Sequence, residues 1–229
     1  MQLELIVQNK HDALQAEKLG ADRLELVSAI QEGGLTPSFG MIKTVLRSVQ
    51  IPVQVMIRPH SHDFYYQEEE FAVICEDIKA LESLQCNRIV FGALHEDLTI
   101  NERMLHDLIE RFPGVDITFH RAFDEVKDMY AAYKTLVKYK DHVKRILTSG
   151  GKQSCEAGKE QLAHLVQYSY ETGGPIIMPG AGLTPDNIAE VKQTTKAEQY
   201  HFGKAVRERQ SFANAISAQA VEKVLSTLK

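Results

Sequence analysis

Residues 88–94 read RIVFGAL and residues 116–123 read DITFHRAF, and the segment between them contains NERMLHDLIERF (101–112). The two apolar runs are rich in β-branched and aromatic residues, as strands are, whereas the intervening segment has apolar residues at helical spacing. Strand, helix and strand in this order form a βα unit, which is typical of a parallel sheet.

The same unit recurs along the whole chain. Eight apolar runs are separated by segments with helical spacing, at residues 3–7, 23–28, 52–59, 88–94, 116–123, 145–151, 175–183 and 198–206. Near-continuous apolar runs are typical of parallel strands that are buried on both faces. We therefore predict an α/β fold, a (β/α)₈ TIM barrel, with one domain over residues 1–229. The alternative, a doubly wound open sheet, usually has fewer strands and a glycine-rich turn after the first one, but here the first glycine is Gly20.

Capping residues suggest where the helices begin and end. Gly20 is expected to end the first helix, and Thr36 with Pro37 to begin the second. A helix is expected to start near Gln67, and another at Thr184 after the seventh strand. Residues 60–66 form either a lid over the barrel mouth or a solvated loop. The C-terminal segment 214–229 closes the barrel, and its apolar stripe could serve a homo-oligomer contact.

Composition excludes several classes of protein. Net charge is −5 and no basic run is present, so a nucleic-acid partner is not expected. No apolar run reaches the roughly 18 to 20 residues that span a bilayer, so no membrane contact is expected and a cytoplasmic location is predicted. The three cysteines, Cys75, Cys86 and Cys155, are odd in number and widely spaced, which predicts reduced thiols with no disulfide framework.

Barrel enzymes place their chemistry at the C-terminal ends of the strands. Polar residues are found near these ends in the predicted strands, namely Glu4, Glu25, Arg58, His120, Arg121, Thr148, Ser149 and His201. Glu4, Glu25 and Arg58 are expected to pair with one another, because an isolated buried charge costs several kcal/mol. The predicted catalytic set is Glu25, Arg58, His120, Arg121 and His201, with His120 as general acid/base, the two arginines as anion clamps and Asp124 as a supporting group.

Glycines after the last three strands suggest an anion site, since glycine lets backbone N–H groups approach a ligand closely. The glycines after strand 7 also lead into the helix expected at Thr184, whose N-terminus can receive an anion. The predicted phosphate- or anion-binding residues are Ser149, Gly150, Gly151, Gly180, Gly182 and Gly203. The alternative is that these glycines only form tight turns.

A metal site is a further expectation. Glu4, Glu25, His120 and His201 would form a nitrogen and oxygen donor set suited to zinc or a similar divalent ion. Copper(I) would prefer sulfur, and no cysteine stands at a strand end. His60 and His62 form a second candidate pair, although loop histidines are usually solvated.

Eight motifs together resemble the copper homeostasis protein CutC family over nearly the whole chain. They are GADRLEL (20–26), EGGLTPS (32–38), PVQVMIRP (52–59), DF (63–64), FGAL (91–94), TFHRAFD (118–124), RILTSGG (145–151) and PIIMPGAGL (175–183). The resemblance implies a TIM barrel in the cytoplasm with a role in copper binding, trafficking or tolerance. Many members carry a cysteine at the positions of Ile6 and Val27, and Arg-Gly-Gly at residues 60–62, where this chain has His-Ser-His. Copper is thus a cofactor implied by the resemblance, without the family's thiols.

Two functional hypotheses follow, both with a small-molecule or metal ligand as partner. The first is a copper-handling protein. The second is an enzyme that acts by general acid/base chemistry on a small metabolite, phosphorylated or not, at the barrel mouth. A purely structural protein is disfavoured, because it would not need so many ionisable groups at one end of the barrel.

Overall fold

The computed structural model describes all 229 residues and forms a (β/α)₈ barrel. The eight strands are β1 (Gln2–Val7), β2 (Arg23–Leu26), β3 (Val53–Met56), β4 (Arg88–Phe91), β5 (Asp116–Phe119), β6 (Val143–Thr148), β7 (Ile176–Pro179) and β8 (Gln199–Phe202). The eight helices are α1 (Lys10–Lys18), α2 (Phe39–Leu46), α3 (Glu68–Glu82), α4 (Glu102–Arg111), α5 (Met129–Val137), α6 (Lys159–Thr172), α7 (Ile188–Thr195) and α8 (Ala218–Leu228). None of these helices has the length and apolar content to cross a membrane.

All paired strands are parallel, in the order β7-β6-β5-β4-β3-β2-β1-β8. The two ends of this order are β7 and β8, and these two strands approach each other. A Cβ atom on Gly180, just after β7, would lie 3.3 Å from Cβ of His201 on β8. The predicted barrel is therefore confirmed, with eight strands that form a nearly closed ring.

The two faces of the strands differ in polarity. Outward residues such as Leu3, Leu5 and Val55 belong to an apolar cluster of 59 buried residues that includes much of the helices' inner faces. Inward positions alternate with them, as the two-residue period of a strand requires. Many of these positions are polar and buried, namely Glu4, Arg23, Glu25, Gln54, Thr118, Arg145, Gln199 and His201. The main core thus lies between barrel and helices, and the barrel interior holds these polar groups together with a small apolar cluster of Val27, Met56 and Val90.

Two helix starts differ from the prediction because side chains are used elsewhere. α2 begins at Phe39, with Ser38 as its N-cap, since Thr36 exchanges hydrogen bonds with the backbone of Arg58. α7 begins at Ile188 and not at Thr184. Other boundaries agree: Gly20 follows α1 with a φ of 95°, and Gln67 caps α3.

Residues 60–66 form a wall of the barrel mouth. Phe64 and Tyr66 are buried, and His60 packs edge-on against the Tyr66 ring. This segment is therefore partly buried, with His62 exposed, and its Phe64 ring reaches the site described next.

Candidate functional site

A cavity of about 720 Å³ opens at the C-terminal end of the barrel. All five residues of the predicted catalytic set line it, which are Glu25, Arg58, His120, Arg121 and His201. Asp124, Gly151, Gly182 and Gly203 line it as well. Glu4, Ser149, Gly150 and Gly180 do not. The volume is in the range of pockets for small molecules.

Strand register places Glu4 between two partners on neighbouring strands. Glu4 is directly opposite Arg23 on β2 and His201 on β8, so the three side chains point the same way. Glu4 Oε1 lies 2.7 Å from His201 Nδ1, and Arg23 Nε donates to Glu4 Oε2. Because Glu4 is the third of six residues in β1, it lies inside the barrel and not at the strand end.

The charge of Glu4 is stabilised by these partners. Burial alone would raise the pKa of Glu4, but Arg23 and His201 together hold it well below its usual range. Burial would lower the pKa of His201, but the carboxylates of Glu25 and Glu4 raise it. Arg23, Glu4 and His201 therefore form a buried hydrogen-bonded row from β2 to β8.

Glu25 lies one layer nearer the cavity than this row. Its Oε2 is 3.6 Å from His201 Nε2, and its Oε1 is buried with no hydrogen-bond partner. Burial raises the pKa of Glu25 to about 7, although His201 opposes that rise. A carboxyl group with a free oxygen and this pKa can take up a proton or a cation at neutral pH.

Three of the four predicted metal ligands lie together. One ligand atom each from Glu4, Glu25 and His201 can be chosen so that all three lie within 4.8 Å of one another. His120 is not part of this group, because β5 lies across the barrel from β1. Including His120 among the metal ligands was therefore wrong. His60 and His62 stack on each other, and His60 pairs with Glu70 at 3.0 Å, so they form no cluster of three ligands.

Arg58 does not pair with Glu4 or Glu25, and that prediction was wrong. Its Nη1 and Nη2 donate to the carbonyls of Glu32 and Ser61, and its guanidinium lies 4.6 Å from the centre of the Phe64 ring. Arg58 Nε is buried without a partner. The reason is that β3 ends beside these loops, whereas Glu4 is paired with Arg23 deeper in the barrel.

His120 and Arg121 both reach the cavity, although alternate residues of a strand point in opposite directions. β5 ends at Phe119 and residues Arg121–Asp124 turn into a 3₁₀ helix, so the alternation stops there. Burial lowers the pKa of His120 to about 3, and Arg58 pushes it the same way. Arg121 is half-exposed and donates to Asp124 at 2.8 Å. Asp124 thus contacts Arg121, and its supporting role stays a prediction.

Asp124 fills the loop that was expected to bind an anion after β6. Its carboxylate accepts from the backbone N–H groups of Ser149 and Gly151, at 3.0 and 3.1 Å, and from the Thr148 hydroxyl. A side chain therefore occupies the donors predicted for a phosphate. Gly180 has a packing role instead, because a Cβ atom there would lie 2.3 Å from Leu147 Cδ1.

The turn after β7 satisfies its own polar groups before the helix begins. Thr184 Oγ1 accepts from the N–H groups of Asp186 and Asn187, and Asn187 Oδ1 accepts from the Thr184 N–H. The helix N-terminus expected at Thr184 is therefore absent from this position. Gly182 and Gly203 remain at the cavity wall, where an anion site is still a prediction.

Sequence reasoning missed Arg23 and Phe64. Arg23 begins β2, which is the wrong end for a catalytic role, yet it lies two residues before Glu25 and so shares its inward face. That spacing was the available signal. Phe64 lies in a loop, and no local pattern places it at the cavity.

Comparison with known proteins agrees with the motifs. The sequence profile of the CutC family matches residues 1–206. The human copper homeostasis protein cutC homolog is 39% identical over 199 residues, which cover 87% of this chain and 71% of the relative. A family protein CutC from Mesorhizobium japonicum is also 39% identical, over 87% of this chain and 76% of its own length.

Solved structures give the same answer for the fold. A crystal structure from Streptococcus agalactiae, described as that of a candidate copper homeostasis protein CutC, superposes with a TM-score of 0.81 at 30% identity, over 89% of this chain and 98% of its own. Phosphoribosyl anthranilate isomerase from Thermotoga maritima superposes over 100% of this chain and 98% of its own with a TM-score of 0.65, but at 12% identity it shows only a shared barrel. With its eight motifs, its profile match and these relatives, the chain belongs to the CutC family.

Proposed function

We propose that this protein acts in copper homeostasis, as the names of its relatives suggest, by binding copper(II) between Glu25 and His201, with Glu4 behind the imidazole. The observation that carries this proposal is the close group of Glu4, Glu25 and His201, whose ligand atoms lie within 4.8 Å of one another, together with a buried Glu25 Oε1 that has no partner. A buried carboxylate oxygen without a partner is costly unless a proton or a cation satisfies it.

The donor chemistry favours copper(II) over copper(I). Imidazole and carboxylate suit copper(II) and zinc, and copper(II) binds more tightly to such sites. Copper(I) requires soft sulfur ligands, but the positions of the family's cysteines hold Ile6 and Val27. The Cys155 thiol donates a hydrogen bond to the carbonyl of Gly180, and burial raises the pKa of that thiol. The three unpaired cysteines are compatible with action in the cytoplasm, which we include in the proposal.

Each residue of the cluster has a distinct part. Glu25 and the Nε2 atom of His201 would hold the ion, while Glu4 orients the imidazole through Nδ1. A carboxylate behind a ligating histidine fixes the ring and makes it a better ligand. Arg23 in turn holds Glu4 in place.

A competition titration of copper(II) against a chelator of known affinity tests the proposal. Glu25→Gln and His201→Gln should each weaken binding by about tenfold or more. His106→Gln, on the exposed face of α4, is the matched control and should change nothing. A variant with all three cysteines replaced by serine should also bind normally. Loss of binding only in the cysteine variant would refute the proposal.

A second candidate is the acid/base enzyme, which is favoured by one observation. Burial raises the pKa of Glu25 to about 7, where a carboxyl group works as a general base at neutral pH. Its test is deuterium incorporation from heavy water into small carbonyl compounds, followed by NMR. Incorporation that requires Glu25 would support this candidate, and none with any compound in a broad set would count against it.

A further inference from the structure

The ring of His120 has a defined hydrogen-bonding state. Its Nδ1 atom accepts a hydrogen bond from the Ala122 N–H at 3.2 Å, so Nδ1 carries no proton. A neutral imidazole must then carry its proton on Nε2. Burial and the nearby Arg58 guanidinium keep this ring neutral. His120 therefore presents an Nε2–H donor.

That donor has no acceptor in the protein. The Nε2 atom is buried and unpartnered, and His120 as a whole is 4% exposed while lining the cavity. The ring cannot retreat, because even a Cβ atom on Gly92 would lie 2.7 Å from Nδ1. On its other side, the Phe64 ring lies 4.8 Å away between ring centres. The ring is therefore held in place while its Nε2–H has no acceptor in the protein.

Arg58 presents a second unused donor against the same phenylalanine. Its two Nη atoms are used by loop carbonyls, but its Nε–H is buried without a partner. Arg58 is 7% exposed and forms no ion pair, so its charge is not matched by a carboxylate in contact. A buried cation and two N–H donors that no side chain satisfies, beside one aromatic ring, are features that a bound anion would complete.

We propose that His120 Nε2–H, Arg58 Nε–H and the face of Phe64 form a binding subsite for the carboxylate of a small organic acid. Two single donors match the two oxygens of a carboxylate, whereas a phosphate group offers more oxygens than this pair can satisfy. Ile6, Ile30, Met56, Leu183 and Phe212 also line the cavity and provide apolar surface for the rest of the molecule. The subsite lies on the side of the cavity formed by the ends of β3 and β5, and none of its residues is a proposed copper ligand.

The test uses metal-free protein with four probes, which are benzoate, pyruvate, benzamide and inorganic phosphate. Benzamide matches benzoate in shape but has no charge. Binding is followed by isothermal titration, and the proton on His120 Nε2 is followed by ¹H–¹⁵N NMR of the imidazole. Free protein should show the Nε2–H tautomer, and benzoate or pyruvate should shift that proton downfield.

The variants separate this subsite from a general effect. His120→Phe keeps a ring in the clamp, and Arg58→Met keeps the stem, and each should weaken carboxylate binding about tenfold or more because a charge-assisted hydrogen bond is lost. Arg103→Met, which removes an exposed arginine on α4 outside the cavity, is the control and should bind normally. The protein is metal-free and neither His120 nor Arg58 belongs to the copper site, so failure of the copper proposal would not affect this result.

Four results would overturn the proposal, of which three concern the tautomer and the choice of ligand. They are an Nδ1–H tautomer in the free protein, equal affinity for benzoate and benzamide, and binding of phosphate without binding of either carboxylate. Absence of binding by both carboxylates would refute it as well.

Discussion

Replacing His120 with asparagine should make the protein less sensitive to acid. Asparagine can accept the Ala122 N–H bond in place of Nδ1, but it does not titrate. In the folded protein, burial and then Arg58 lower the pKa of His120 to about 3, from the ordinary value of 6.5. Between these two values only the unfolded chain binds the proton. Stability is therefore lost as the pH falls from 6.5 toward 3.

The size of the effect follows from the two pKa values. Each pH unit below the unfolded pKa costs about 1.4 kcal/mol until the folded pKa is reached. At about pH 5 the gap of roughly 1.5 units amounts to about 2 kcal/mol, whereas near pH 7 the term is close to zero. Urea unfolding near both pH values measures it in the wild type and in His120→Asn.

The expected result compares how much unfolding free energy each protein loses between the two pH values. From near pH 7 to about pH 5, the wild type should lose about 2 kcal/mol more unfolding free energy than His120→Asn does. His106→Asn, an exposed control, should behave like the wild type. Equal losses in the wild type and His120→Asn would mean that the ring takes up its proton in the folded protein, and the reasoning about a clamped neutral ring would fail.

Three further predictions concern the rest of the site. Arg23→Met should destabilise the protein by about 3 to 5 kcal/mol in urea unfolding, because it leaves Glu4 buried and charged. Adding Glu4→Gln should recover part of this loss, and no recovery would contradict the pairing of Arg23 with Glu4. Asp124→Asn should lower stability by about 1 to 3 kcal/mol in thermal unfolding, because the carboxylate serves two backbone N–H groups, and a change below about 0.5 kcal/mol would count against that role. Copper(II) affinity should rise with pH through the region around 7, because the ion must displace protons from its ligands. Burial raises the pKa of Glu25 to about 7, and nearby carboxylates raise the pKa of His201. A copper affinity that does not change with pH would contradict this prediction.

The barrel could be predicted because its signal is local and repeated. Each strand places apolar residues outward at every second position, and each helix has its own caps, so a window of about ten residues suffices. Candidates such as Glu25, His120 and His201 could be found for a related reason. They are ionisable residues within apolar runs, and the fold brings the same ends of these runs together.

The pairing inside the site could not be predicted, because it depends on register and on loops. Glu4 meets Arg23 and not Arg58, since strand register puts Arg23 directly beside it. Asp124 reaches the loop after β6 across a sequence separation of 25 residues to Ser149. The first relation depends on strand register and the second on the fold of two loops, so the pairing of Arg58 with Glu4 and Glu25 and the anion loop after β6 were predicted wrongly.

The location of bound copper tests the central claim most directly. Crystals soaked in copper(II) and measured at the copper absorption edge should show one main anomalous peak, between the Glu25 carboxylate and His201 Nε2. Crystals of Glu25→Gln should lose that peak. A peak at a cysteine or beside His60 and His62, with none at Glu25, would contradict the account.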